Sequence, residues 1–270
     1  MVTRSASIEM QQWIRFTPLQ RFARFAVFFV MAAAIAWALK TIEIIPEFLY
    51  DAPEQVVDMG QRMWPIDWAH FWPVVWPALV ETMHMSAMAT ILGLMMGIPV
   101  GFLAARNATP FLWMNLIAKF ILVATRSIST LIWALFFVAM FGPGPLAGAL
   151  AIAFHSIGFI GKMFSEAVEE SNKGSIEALQ AAGATGVQQI IMGYWPQVLP
   201  TFWSVALFRW DINVRESAVL GLVGAGGIGM ALNAAIDLIQ WPRVALILFT
   251  IFIVVILIET IVTQIRARVI

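Results

Sequence analysis

Cysteine is absent from this 270-residue sequence, and charged residues are scarce. Without cysteine the chain has no disulfide framework, no thiolate metal site and no cysteine nucleophile. Only 12% of the residues are charged and 61% are hydrophobic, so the sequence leaves no room for a large soluble domain. We expect no catalytic residues, no metal site and no nucleic-acid partner.

Two targeting and binding motifs are also missing. Arginines precede the first apolar run, but no small-residue cleavage site follows it, so we expect a retained first span rather than a cleaved signal peptide. No Walker A motif occurs, which excludes ATP binding by a P-loop. The run from Gly224 to Gly229 matches G-x-G-x-x-G formally, but no strand precedes it and no βαβ unit surrounds it.

Six windows are long and apolar enough to cross a hydrocarbon core, which takes about 20 residues. They cover residues 25–45, 78–104, 116–141, 144–164, 198–220 and 244–262. The sequence therefore predicts an all-α, polytopic membrane protein. We expect a cytoplasmic segment over 1–24 and one transmembrane domain over 25–270.

The distribution of Lys and Arg predicts the orientation, because cytoplasmic loops carry the excess of these residues. With the N-terminus inside, the inner segments hold ten of them and the outer segments hold two, Arg62 and Arg243. We expect both termini in the cytoplasm of a bacterium, with the chain in the inner membrane. The segment 46–77 is then external, and the polar segment 165–197 is cytoplasmic.

The external segment is acidic and aromatic, with a tryptophan every four residues from Trp64 to Trp76. This spacing indicates an interfacial helix in the aromatic belt of the membrane. A docking surface for an external partner is compatible with it. Pro65, Pro73 and Pro77 are expected to break any long helix there.

The cytoplasmic segment contains a short predicted helix. Ser175 is the expected cap, and the alanines that follow are good helix formers. Gly183 and Gly186 then end or bend the helix. Small side chains would let it sit in the groove of a partner protein, although any short cytoplasmic helix has similar features.

Four charged residues fall in or at the outer end of the fifth window, namely Arg209, Asp211, Arg215 and Glu216. Each charge at bilayer depth costs at least about 2.5 kcal/mol, so these side chains face protein or water. Asp211 and Arg215 are four residues apart and meet on one helix face, while Asn213 and Ser217 share another. Either the pair is structural, or the seam lines a pore in which a spare arginine attracts an oxyanion. We favour Arg215 and Asn213 as pore or gate residues, with Asp211 orienting Arg215.

Other polar residues inside the windows allow two interpretations. Arg126 in the third window either reaches back to the inner surface or lines the pore. His84 and His155 are more typical of hydrogen-bonded packing residues than of a proton relay. The glycines Gly224, Gly226, Gly227 and Gly229 favour a tight turn and close helix contact near an outer gate.

Four stretches resemble known families. Glu177, Ala178 and Gly183, with Pro196 thirteen residues after that glycine, resemble the EAA coupling motif of binding-protein-dependent ABC permeases. The sequence departs from that motif at three positions: Leu179 (usually Ala), Gly193 (usually aliphatic) and Trp195 (usually Leu). The run 208–229, the segment 142–148 and Arg126-Ser127-Ile128 resemble phosphonate and phosphite ABC transporter permeases. The likeness covers roughly 80–265, and Ser129-Thr130 replaces the Pro and acidic or small polar residue frequent in that family.

The resemblance implies a type I ABC importer permease fold of the methionine-permease type. It also implies a pore formed by two copies of the chain, two cytoplasmic ATPase subunits that carry ATP and Mg, and a periplasmic binding protein. This subunit would bind no cofactor. The coupling residues would be Glu177, Ala178, Leu179, Gly183 and Pro196, and the pore or gate candidates Arg126, Arg209, Asp211, Asn213, Arg215, Glu216 and Ser217.

The expected function is import of a small phosphorus oxyanion, with phosphonate, phosphite and phosphate ester left open. Three alternatives remain at this point. They are an ABC permease for another small solute such as an amino acid, a proton- or ion-coupled carrier that uses Asp211, Arg215 and His84, and a membrane scaffold that transports nothing.

Overall fold

The computed structural model describes residues 16–41, 46–109 and 111–269, and every regular element in these ranges is helical. The chain divides into two compact units between Asp58 and Met59. In the first unit lies α1 (Pro18–Thr41), none of whose residues is buried. The first expected span corresponds to α1 as far as Thr41, and its residues 42–45 lie outside the described ranges, as do residues 1–15. Helix α2 covers Pro46–Arg62.

The second unit contains the remaining helices. They are α3 (Trp76–Ala104), α4 (Leu112–Ser127), α5 (Thr130–Phe141), α6 (Pro145–Glu169), α7 (Lys173–Ala181), α8 (Gly186–Gln188), α9 (Trp195–Leu220), α10 (Gly227–Asp237) and α11 (Trp241–Val269). Among the described residues, four helices are long and apolar enough to cross a membrane, and six spans result if each of two bent helix pairs counts as one.

Helices α3 and α6 form the centre of this unit because small residues let their backbones approach. Gly93, Gly97 and Gly101 recur every four residues and are buried on one face of α3. A Cβ at Gly93 would lie 2.8 Å from the Cβ of Ser156, and one at Gly101 would lie 2.9 Å from a backbone oxygen of α6. Such spacing of small residues is a common basis of close helix packing in membranes, where packing contacts replace the hydrophobic drive.

The third expected span, 116–141, is not one straight helix. It is divided into α4 and α5, which are bent by 89° relative to each other. Ile128 has extended backbone angles, and the hydroxyl of Ser129 accepts a hydrogen bond from the Leu131 N–H at 3.4 Å as the cap of α5. The polar residues that seemed compatible with a span thus end one helix and begin another.

The expectation that prolines break the external segment is wrong for two of the three. A continuous helical run covers Trp68–Ala104, and it includes Pro73 and Pro77. Pro73 lies in a π-helical turn (Phe71–Val75), and Pro77 lies in the first turn of α3, a position where proline is tolerated. Pro65 lies in the irregular stretch between α2 and the helical turn Trp68–His70.

Candidate functional site

The short helix expected in the segment 165–197 is present as α7, but it begins earlier than expected. Its cap is Asn172 rather than Ser175, since the Asn172 Oδ1 accepts the Gly174 N–H at 2.9 Å. Asparagine caps as well as serine does, so a cap at Asn172 starts the helix three residues before the expected cap. Gly183 ends it, with φ of +80°, a conformation that glycine adopts readily.

Gly186 has a different role from the expected one. It opens α8, where Thr185 and Gln188 form a reciprocal capping box. A π-helical turn (Gln189–Tyr194) then leads into α9, and Pro196 lies in the first turn of α9.

One side of α7 is anchored to the membrane helices. Ile176 is buried in an apolar cluster with Phe164 and Val168 of α6, Tyr194 and Val198. Gly193 lies directly beneath α7, and a Cβ there would be 2.5 Å from Ile176 Cδ1 and 3.0 Å from Leu179 Cδ1. The two departures from the coupling motif therefore fit each other, because the absent side chain at 193 makes room for the larger one at 179.

The third departure, Trp195, is accommodated by aromatic neighbours. Its ring lies 6.2 Å from that of Phe164 and 5.6 Å from that of Phe202. Such ring contacts fix orientation as well as burying area.

The other side of α7 is open. Glu177, Ala178, Ala181 and Ala182 are exposed, and nothing lies within 4 Å of a Cβ placed on Gly183. Of the expected coupling residues, Leu179 alone points partly inward. The chain thus presents an exposed helical surface that contains three alanines, while Ile176 on the opposite side of α7 is buried.

Arg209 is not the spare arginine that the sequence suggested. Its side chain is almost fully buried, and its Nη2 lies 3.3 Å from both carboxylate oxygens of Glu216, two helical turns further along α9. Its Nε donates to the hydroxyl of Ser156 on α6 at 2.8 Å. The pair is also bonded to α5, because the Thr130 hydroxyl donates to Glu216 at 3.1 Å.

Asn213 extends the same network into the interior. Its exposure is 0%, and its Nδ2 donates to the hydroxyl of Thr90 on α3 at 2.8 Å. Ser217 shares its face as predicted, since the Ser217 hydroxyl donates to the Asn213 carbonyl at 2.7 Å. These polar groups join α3, α5, α6 and α9, and Asn213 is enclosed by this chain's own helices. Sequence reasoning missed Thr90 and Ser156, although hydroxyls inside apolar windows are a usable signal.

The predicted pairing of Asp211 with Arg215 is present on another face of α9. The two side chains are in hydrogen-bonding contact across one turn. Their environments differ, because the Asp211 side chain is 9% exposed and the Arg215 side chain is 47% exposed. The second oxygen of Asp211 is buried without a hydrogen-bond partner among the described residues. A buried carboxylate thus holds an arginine whose remaining donors are open.

Arg215 and Glu216 lie at a cleft created by the break between α4 and α5. The cleft has a volume of about 310 Å³ and is lined by Ser129, Thr130, Leu131, Arg215, Glu216, Val219 and Leu220. It combines a guanidinium, two hydroxyls and one carboxylate with an apolar rim. Hydroxyls and guanidinium are the donors that oxyanions bind.

The glycine run forms the predicted tight turn. Gly224, Gly226 and Gly227 all have φ between +71° and +89°, and a Cβ at Gly229 would lie 2.1 Å from the backbone oxygen of Ala218. Helix α10 begins here, and α3 caps it: Glu81 accepts the Gly227 N–H at 3.0 Å, and Thr82 accepts the Ile228 N–H at 2.8 Å. The turn and the close contact are confirmed, and the outer gate stays a prediction.

The three histidines have separate places. His155 Nδ1 lies 3.1 Å from the Ile128 carbonyl at the α4–α5 break, which fits a packing role. His84 lines an apolar groove beside Glu81 and Met85. His70 lies 2.6 Å from Asp67, which also lies 3.4 Å from Arg243 at the start of α11. Hydrogen bonding to His70, opposed by some desolvation, lowers the pKa of Asp67 below its ordinary value.

Known proteins resemble this chain in sequence and in fold. Residues 97–270 match the family described as binding-protein-dependent transport system inner membrane components. The phosphite transport system permease PtxC of Stutzerimonas stutzeri is 41% identical over 67% of this chain and 66% of its own length. The phosphate-import permease PhnE of Mycolicibacterium smegmatis is 36% identical over 86% of this chain, but the match spans only 43% of PhnE.

The fold is that of a solved transporter subunit. The inward-facing MetNI methionine ABC transporter contains a chain that superposes with a TM-score of 0.66 at 24% identity, covering 76% of this chain and all of that one. The expected methionine-permease type of fold is therefore confirmed. With its apolar helices and its matched residues 97–270, this chain belongs to the family of binding-protein-dependent transport system inner membrane components.

Proposed function

We propose that this chain is the membrane-embedded subunit of an ATP-driven importer for a small phosphorus oxyanion such as phosphite, phosphate or a phosphonate. The family to which it belongs works with binding proteins by its description, and the names of PtxC and PhnE refer to phosphite and phosphate. ATP would be hydrolysed by a partner subunit, since this sequence has no P-loop.

The observation that carries the proposal is the half-exposed Arg215 in the cleft at the α4–α5 break. Its guanidinium offers charge-assisted hydrogen bonds to a passing oxyanion. The hydroxyl of Ser129, whose oxygen accepts from the Leu131 N–H, adds a neutral donor, whereas the Thr130 hydroxyl donates to Glu216. Asp211 fixes the guanidinium from its buried side. Glu216 in the same cleft weakens the attraction, which suits a path that must release its cargo.

Arg209, Asn213 and Ser217 have a different role in this proposal. They form the buried network that holds α9 against α3 and α6, and they present no open donor to a solute. Of the seven pore or gate candidates, Arg215 and Glu216 are thus the two that we propose to meet the anion.

The conformational change driven by ATP hydrolysis would be transmitted to the cleft through α7. The exposed alanine face of α7 is suited to lie in a groove of the ATPase, and Ile176 joins α7 to Val168 of α6 and Val198 of α9. A push on α7 would therefore move the inner end of α9, the helix that carries Arg215. Rigid helices packed through such a cluster are able to transmit motion between distant sites.

A second copy of the chain would complete the pore, with the α9 cleft of each copy facing the other and both termini in the cytoplasm. Because the chain has no cysteine, a single introduced one reports its own surroundings. We expect Val219→Cys, at the cleft, to cross-link two copies in the membrane. Leu257→Cys on α11 is the control, because its side chain is also exposed. Cross-linking through position 257 alone would place the second copy elsewhere.

Uptake into proteoliposomes tests the proposal. The vesicles contain the permease with its ATPase, and the binding protein and radiolabelled phosphate or phosphite are added outside. We expect uptake to require internal ATP and to survive a proton ionophore. Uptake that follows a proton gradient without ATP would instead support the carrier that uses Asp211, Arg215 and His84.

A further inference from the structure

A second polar cleft lies between α4 and α6, at the end of the unit that carries α7. It has a volume of about 260 Å³ and is lined by Arg106, Lys119, Leu122, Val123, Arg126, Lys162, Ser165 and Glu169. Four cationic side chains therefore surround one cleft, in a chain with 16 lysines and arginines in all. None of the coupling residues lines it, and Arg126 is the one pore candidate that does.

The cleft exists because two glycines let α4 settle onto α6. A Cβ at Gly158 would lie 2.4 Å from the Leu122 carbonyl oxygen, and one at Gly161 would lie 2.4 Å from Leu122 Cδ2. With the backbones this close, the long basic side chains on either side of Leu122 extend along the groove. Lys119 and Arg126 are seven residues apart, so they lie on the same face of α4.

The positive charge in the cleft is only partly neutralised. Lys162 is paired with Glu166 at 2.8 Å, and Glu169 accepts the backbone N–H of Arg106 at 3.0 Å. Within the described ranges no carboxylate pairs with the side chains of Arg106, Lys119 or Arg126. Like charges gathered in this way repel one another, and a bound anion would remove that repulsion.

The depth of the cleft fits the boundary of a membrane. Lys119 is seven residues from the start of α4, and Lys162 is seven residues from the end of α6, so both lie about 10 Å along their helices. Arg106 lies just beyond the end of α3. The backbone of Arg126 lies deeper along α4 than that of Lys119, but its side chain lines the same cleft. Long basic side chains often extend in this way toward the membrane interface.

We propose that this cleft binds a phosphate-type oxyanion at the cytoplasmic side of the protein. The same chemistry is offered by the headgroup phosphate of an anionic phospholipid and by free phosphate or phosphite. Basic pockets between membrane helices on the cytoplasmic side are suited to lipid headgroups. A headgroup site is independent of the transport function proposed above, whereas a free-anion site would serve release of the imported solute.

Thermal unfolding of the full chain, followed by tryptophan fluorescence, separates the two sources. One arm compares nanodiscs of phosphatidylcholine with nanodiscs that also contain phosphatidylglycerol. The other arm adds inorganic phosphate in a neutral detergent, against sodium chloride at equal ionic strength. A ligand that binds the folded state and not the unfolded state raises the midpoint of thermal unfolding, by roughly 5 °C or more at saturation.

The decisive variant is Lys119→Gln with Arg126→Gln, which should lose the rise. Arg268→Gln removes another exposed cation near the end of α11 and should keep it. Lys119→Arg keeps the positive charge at this position, so this variant should still show the rise in the midpoint of thermal unfolding. If it does, the loss of the rise in the Lys119 and Arg126 double variant is due to the lost charge and not to a folding defect. Native mass spectrometry gives a second measurement, the amount of phosphatidylglycerol retained by each variant.

The results have distinct meanings. A rise with phosphatidylglycerol alone assigns the cleft to a lipid headgroup, and a rise with inorganic phosphate alone assigns it to a free anion. The proposal is overturned if neither ligand raises the midpoint, or if the Lys119 and Arg126 double variant responds as the wild type does. Failure of transport in the proteoliposome assay would leave the headgroup result unaffected.

Discussion

Removal of the negative charge of Glu216 tests whether the buried network of α9 is structural. Glu216 is the carboxylate that neutralises Arg209, whose side chain is 4% exposed. Breaking a buried ion pair on one side costs about 3–5 kcal/mol, because the remaining charge is left without a partner. The Glu216 side chain is 24% exposed, so water can reach the site and the low end applies. We expect Glu216→Gln to lose about 3 kcal/mol, which corresponds to a midpoint of thermal unfolding lowered by about 6–12 °C.

Tryptophan fluorescence of the purified chain during heating measures this loss. Glu259→Gln is the matched control, because Glu259 is an exposed glutamate on α11. The double variant Arg209→Gln with Glu216→Gln should recover most of the midpoint, since it removes both charges and keeps hydrogen-bonding groups for Ser156 and Thr130. A midpoint for Glu216→Gln equal to that of the wild type would refute the reasoning, and so would a double variant less stable than the single one.

Three further predictions concern other parts of the chain. Gly193→Ala should lower the free energy of unfolding by about 1–3 kcal/mol, because the new Cβ would meet Ile176 Cδ1 at 2.5 Å. Adding Ile176→Val, which removes that Cδ1, should restore part of the lost stability, and no rescue would mean that the two side chains do not compete. Gly183→Asp should leave membrane insertion intact and abolish substrate-stimulated ATP hydrolysis in the assembled transporter. Gly183→Ala controls for the φ of +80° and should keep the stimulated hydrolysis. Stimulated hydrolysis in the Asp variant would contradict the assignment of α7 as the docking surface. Since the pKa of Asp67 is lowered in the folded state, its stabilising effect should be present above pH about 4 and lost as the pH falls through the lowered value. Hydrogen exchange of residues 63–70 between pH 3 and 7 should show this change, and Asp67→Asn should abolish it; an equal acid response in both would contradict the assignment.

Much of the fold was predictable because lipid imposes a simple rule on sequence. Windows of about 20 apolar residues correspond to α3, α6, α9 and α11, whose cores the sequence places correctly. The bend between α4 and α5 was not predicted, because one serine hardly lowers the mean hydropathy of a window of about 20 residues. The same serine, Ser129, is nevertheless polar enough to cap α5. Pro73 was expected to break the helix, because proline removes a backbone N–H. The chain instead forms a π-helical turn around Pro73, and the helix continues.

The candidate site was predictable only where spacing fixes contact. The spacing of four residues between Asp211 and Arg215 predicted their pairing, and the glycines of 224–229 predicted the turn. The partner of Arg209 was harder to identify, because Glu216 at i+7 competed with nearer candidates. The contacts of Asn213 with Thr90, and of Arg209 with Ser156, cross between helices and depend on packing that no local pattern encodes.

Uptake by the Arg215→Gln variant is the most direct test of the proposed function. The assay uses proteoliposomes with the ATPase, internal ATP and the binding protein, and compares variants at equal amounts of inserted protein. Loss of a charge-assisted hydrogen bond worth about 1.5–3 kcal/mol predicts uptake of phosphate or phosphite reduced by roughly 10- to 100-fold, with Arg268→Gln unchanged. Full uptake by Arg215→Gln at a normal protein level would contradict the proposal that this arginine meets the transported anion.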